Sequence, residues 1–118
     1  ISREINNSIT LIDTNKEYIL CAAIWYKDLP LVVNHFPKTH LRPVNVDRGI
    51  VFCGHRHLQC LYQMIAMTGL KQHEAGEEIQ GFLTNENRFV GRQEARMIAY
   101  SAGQVDKEAG QLFSEDLY

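Results

Sequence analysis

No apolar run in this chain approaches the roughly eighteen residues needed to cross a bilayer, and no charged-then-apolar segment opens it. A soluble, non-exported protein without membrane partners is therefore expected. Basic residues are not in excess either. Twelve lysines and arginines stand against fourteen acids, a formal net charge of -2, which excludes a uniformly basic surface and makes long nucleic acids poor partners. Cysteine is scarce and odd in number: Cys21, Cys53 and Cys60 fall in segments that read as strand or helix, so reduced, mostly buried thiols are expected in place of a disulfide framework. Proline is confined to Pro30, Pro37 and Pro43, and the chain contains neither internal repeats nor low-complexity stretches.

What is present is ordinary for a globular domain. The 118 residues are 45% hydrophobic and 22% charged, enough for one domain over 1-118 with a modest core. Residues 1-15 offer a short amphipathic helix, because Ile1, Ile5, Ile9 and Ile12 share one helical face. Tyr18 to Tyr26 is a nearly continuous apolar run of strand length. The three prolines interrupt residues 28-49, a long loop with room for one short edge strand at Leu31 to Val33. Ile50 to Cys53 reads as a buried strand, and Leu58, Leu61, Tyr62, Ile65 and Ala66 mark one face of a helix ending near Gly69. A further strand is expected from Glu78 into Leu83, where Gly81 suggests a bulge or the close approach of another backbone. The C-terminal LFSEDLY should dock as a fourth strand of the sheet. The expected fold is thus α+β, a small sheet with two or three packed helices.

Two stretches concentrate polar chemistry. In GFLTNENRFVGRQEA (81-95) a strand should give way to the turn Thr84 to Asn87, and a helix should begin after Gly91. Arg88 and Arg92 then flank a helix start, where free N–H groups and the helix dipole favour an anion. In CGHRHLQC (53-60), Gly54 ends a strand, and His55, Arg56 and His57 occupy the loop and first turn of the next helix, a second place of the same kind. Simple capping and packing is the competing reading there. Zinc is a further one, since Cys53, His55, His57 and Cys60 are all ligand types, but they would project in different directions and no second pair supports them. No metal and no cofactor are expected.

No activated nucleophile, acid–base pair or metal cluster is evident, so binding without chemistry is the leading expectation. The candidate ligand-binding residues are Arg56, His57, Arg88 and Arg92 for phosphate, Phe82, Phe89 and Trp25 for stacking on a base, and Asn85 and Asn87 for ribose or base edges. For Trp25 core packing competes with stacking. The alternatives are a nucleotide phosphodiester-cleaving enzyme with His55 or His57 as general base, and a structural or nucleic-acid accessory protein whose arginines contact a nucleic-acid backbone.

The segments CGHRHLQC, GFLTNENRFVGRQEARMIAYSAGQ and LFSEDLY together resemble small phage and prophage proteins, the first class of anti-Thoeris proteins. The resemblance covers roughly residues 46 to 118. It implies a phage-encoded sponge in the host bacterial cytoplasm. Such a protein sequesters cyclic ADP-ribose signals made by TIR-domain enzymes and does not degrade them, and members of the class also bind cyclic di- or trinucleotides. Arg56 and Arg92 match the motif positions. Gly91 stands where family members carry an acidic or hydroxyl residue before the helix, which leaves that contact to the backbone. Trp25 is carried over only as an aromatic of the kind the family stacks on its ligand. A homo-oligomer, a dimer or a multiple of dimers, is expected because so small a chain gains from subunit contacts.

Overall fold

The computed structural model describes residues 16-31 and 41-118. The aliphatic and aromatic run Ile19–Tyr26 forms β1, the central strand, flanked by β2 (Ile50–Gly54) and β3 (Glu78–Thr84). A short β4 (Phe89–Gly91) completes a four-stranded sheet in the order β2-β1-β3-β4, antiparallel throughout. Helices α1 (His57–Thr68) and α2 (Arg92–Ser101) follow β2 and β4. This is a single α+β domain.

Alternation along the strands divides the sheet into two unequal faces. Ala22, Ile24 and Tyr26 point with Phe52, Phe82 and Val90 toward the helices, where they bury Cys60 and Met64 of α1, Ala95 and Ala99 of α2, and Leu112 beyond it. The two alanines of α2, both fully buried, let that helix lie close to the sheet. Ala23, Trp25, Val51, Cys53, Ile79, Leu83 and Phe89 form a smaller cluster on the opposite face, with Val46 packed into it.

Two glycines act as the sequence suggested. Gly69 closes α1 in the left-handed conformation, φ 75°, with its N–H bonded to the Ile65 carbonyl. Gly81 lies where β3 and β4 approach, and a Cβ there would sit 2.2 Å from the Val90 carbonyl oxygen. Close backbone approach, not a bulge, is the reason for that glycine.

The fourth strand corrects the expectation. It comes from Phe89–Gly91 and not from the C-terminal segment, because the turn Thr84 to Asn87 folds the chain straight back onto β3. Thr84 N–H bonds to the Arg88 carbonyl and Asn87 N–H to the Thr84 carbonyl, and Asn87 adopts φ 58°. The outer edge of β4 is then covered by a side chain. The Asn45 amide accepts from Phe89 N–H at 2.8 Å and donates to the Phe89 carbonyl at 2.7 Å. The C-terminal segment instead runs beside α2, pinned by Leu112 and shaped by a 3₁₀ turn over Ser114–Asp116. The N-terminal helix and most of the Leu31 to Val33 strand lie outside the described residues, and Leu31 itself carries no strand.

Candidate functional site

The two helix starts named from sequence converge on the ring of Phe82. Arg56 is the extended N-cap of α1, φ -130° and ψ 156°, and its N–H bonds to the Gln59 side chain, which returns from the first turn. His57, the first helical residue, turns inward. Its Nε2 lies 2.7 Å from the Gly81 carbonyl oxygen and its imidazole meets Phe82 edge-on at 5.0 Å. Burial lowers the His57 pKa, and the Arg92 charge adds to this. A carbonyl only accepts, so Nε2 carries the hydrogen and the neutral ring keeps Nδ1 as an acceptor.

Arg92 opens α2 on the other side of Phe82, with its guanidinium carbon 6.0 Å from that ring and 4.7 Å from Phe113. It donates from Nη2 to Gln80 Oε1 at 2.6 Å and from Nη1 to the Leu112 carbonyl at 2.8 Å. Burial lowers its pKa, partly offset by Glu115. Arg56 donates from Nη2 to the Tyr118 carbonyl at 2.6 Å, and its Nη1 is buried without a partner among the described residues.

Charge compensation separates these arginines from Arg48, Arg88 and Arg96, while Arg42, bonded to the Gly49 carbonyl, shares their lack of an ion pair among the described residues. Arg48 pairs with Asp28, Arg96 with Asp116, and Arg88 with both Glu17 and Glu94. Among the described residues, no Asp or Glu side chain forms an ion pair with Arg56 or Arg92, and Arg56 instead meets the main-chain oxygen of Tyr118. Two guanidiniums without an Asp or Glu ion pair among the described residues, a half-buried neutral imidazole and an aromatic face are groups of the kind that phosphate and a planar ring engage, with Glu115 as the nearby counter-charge.

The remaining candidates are not brought to this patch. Asn85, Asn87 and Arg88 lie on the β3–β4 turn, where Asn85 accepts from Tyr18 N–H at 2.6 Å and Val44 N–H bonds to the Asn87 carbonyl. Trp25 and Phe89 pack edge to face at 5.9 Å on the opposite face of the sheet. Trp25 Nε1 donates to the Arg48 carbonyl, and the Lys27 ammonium sits 4.7 Å above its ring. The alternation of β3 and β4 puts Phe82 and Phe89 on different faces.

The zinc-type residues diverge as well. Cys53 belongs to the outer-face cluster, and Cys60 is buried under α1 with its thiol toward the Ala22 carbonyl, burial pushing its pKa up to about 11. His55 stacks on Tyr118 while His57 bonds to Gly81. Among the described residues, no three metal-ligating side chains gather.

Gln80, Phe113 and Tyr118 complete the patch and were not singled out from sequence. Gln80 reads as an exposed strand residue, and the two aromatics gave only a docking signal. Two surface concavities lie elsewhere. One of about 310 Å³ is lined by Arg96, Val105, Lys107 and Asp116 among others. The second, of about 200 Å³, includes Arg42, Val51, Cys53 and Leu83. Neither includes Arg56 or Arg92.

A family model described as Phage T4 y16D protein matches residues 18–118. No curated protein and no solved structure matches the chain.

Proposed function

The chain belongs to the Phage T4 y16D protein family, and from that premise we propose that it binds and sequesters a small cyclic nucleotide without degrading it. A cyclic ADP-ribose isomer is the leading ligand, with cyclic di- and trinucleotides as further members of the class. The carrying observation is the meeting of His57 and Arg92 at the ring of Phe82, with Arg56 at the adjoining N-cap of α1 and no Asp or Glu ion pair to either arginine among the described residues. Charge-assisted bonds from such guanidiniums contribute about 1.5 to 3 kcal/mol each.

Sequestration in the host cytoplasm, as in the first class of anti-Thoeris proteins, is the biological role this binding would serve. Arg88, Asn85 and Asn87 stay on the β3–β4 turn outside this patch, and Arg88 already holds two carboxylates.

The test is titration calorimetry with cyclic ADP-ribose, cyclic di-GMP and cyclic tri-AMP, followed by heat release and chromatography. Recovery of the intact ligand at up to one equivalent per site is expected. A cleaved product accumulating beyond one equivalent would transfer the assignment to a phosphodiester-cleaving enzyme, for which neutral His57 with its free Nδ1 is the available base.

A further inference from the structure

The side chains at the helix starts already have an occupant, and it comes from the chain itself. The Tyr118 ring lies 4.2 Å from the His55 imidazole, tilted by 34°, and 5.2 Å from the Arg56 guanidinium carbon. Its carbonyl takes one Arg56 donor, the Leu112 carbonyl takes one Arg92 donor, and the Phe113 ring lies against Arg92. The Glu115 charge acts on both Arg92 and His57. Planar ring, oxygen acceptors and negative charge are the groups a nucleotide would present to the same residues.

The fit is incomplete. Arg56 Nη1 is buried without an acceptor among the described residues, an arrangement that disfavours the present state. Tyr118 and Phe113 each remain 48% exposed, so little apolar burial holds their rings in place. Leu112, by contrast, is fully buried and fixes the start of the segment. Ser114 is buried as well, Leu117 packs against the core and Asp116 pairs with Arg96, so release is confined to the Tyr118 end of the segment.

We infer that the slot between His55 and Arg56 is a nucleobase subsite that Tyr118 fills in the free protein, and that an incoming base displaces Tyr118 while its phosphate takes up the Arg56 donors. This rests on the nucleotide-binding reading above. A ring that must leave before the base enters lowers apparent affinity by the fraction of molecules in which the slot is filled.

The experiment compares the wild-type chain with Tyr118→Ala and Tyr118→Phe, using three probes: cyclic ADP-ribose, AMP, and ribose 5-phosphate, which lacks a base. Removal of the ring should tighten AMP and cyclic ADP-ribose binding about fivefold to tenfold. Ribose 5-phosphate binding should be unchanged, and Tyr118→Phe should behave as wild type. Hydrogen exchange over residues 113 to 118 should speed up when AMP binds. Weaker AMP binding in Tyr118→Ala would make Tyr118 a wall of the site and overturn the inference. Cyclic ADP-ribose binding that leaves exchange over 113 to 118 unaltered would also overturn it while leaving the sequestration proposal standing. Failure of the wild type and Tyr118→Ala to bind any of the three probes would overturn the inference together with the choice of cyclic ADP-ribose as leading ligand.

Discussion

Arg88 is held by Glu17 in a two-point ion pair, its Nε and Nη2 lying 2.8 and 2.9 Å from the two carboxylate oxygens. Thr84 Oγ1 donates to the same carboxylate, and Glu94 takes a further bond from Arg88 Nη2. The pair ties the segment before β1 to the β3–β4 turn. Arg92, four residues on, is held by neutral acceptors instead, Gln80 and the Leu112 carbonyl.

Hydrogen bonding to Arg88 holds the Glu17 carboxyl below its usual range. A carboxylate depressed on folding contributes fully above its unfolded pKa, about 4.3. The contribution is lost as pH falls through the lower folded value. Glu17→Gln should cost about 1 to 2 kcal/mol at pH 7. Its deficit should shrink below about pH 4. Urea midpoints across pH 3 to 7 check this, and a deficit that does not vary with pH would remove the ionic explanation.

The facing pair Gly81 and Gly91 provides an internal control for packing. A Cβ on Gly81 collides with the Val90 carbonyl and the Phe89 ring, whereas one on Gly91 meets nothing within 4 Å. Gly81→Ala should lose about 3 kcal/mol. Gly91→Ser should be neutral or gain a few tenths of a kcal/mol through a side-chain cap on α2. Equal denaturation midpoints for the two variants would show that the backbones separate freely.

For the ligand, Arg56→Ala and Arg92→Ala should each weaken cyclic ADP-ribose binding by roughly one to two decades while the protein stays folded. Arg88→Ala should reduce stability more than affinity. Arg92→Lys tests geometry, because a lysine keeps the charge but loses the planar fork that reaches Gln80 and Leu112 together. Calorimetry reads all four variants. Unaltered affinity in both Arg56→Ala and Arg92→Ala would eliminate the site.

Assembly is the last expectation. Leu58 and Tyr62 lie one turn apart on α1 and are 56% and 59% exposed. Isologous pairing across such a stripe is the commonest way to cover it. Light scattering at tens of micromolar should give twice the chain mass or a multiple of it, and Leu58→Asp should shift the population toward monomer. A monomer mass for the wild type would refute this.

Local chemistry made much of the fold legible. Continuous apolar runs marked β1 and β2, and glycines 69 and 91 marked helix ends, because each signal depends on residues within a turn or two. Helical spacing marked where α1 lies but not its buried face, which is Cys60 and Met64 while Leu58 and Tyr62 are exposed. Three apolar-to-small residues, Phe89–Gly91, were too few to carry a period, and the C-terminal segment was apolar enough to resemble the missing strand. Only the fold revealed which side chains meet. Strand pairing decides the face on which a residue lies, so Phe82 joins Arg92 and His57 while Phe89 and Trp25 pack behind the sheet. Glu17 and Arg88 are 71 residues apart in the chain, and Arg56 meets Tyr118 across 62. The sequence alone determined the kinds of residue at each helix start. The antiparallel order of the strands decided which arginines meet a carboxylate among the described residues, because Coulomb and hydrogen-bond partners are set by distance in space.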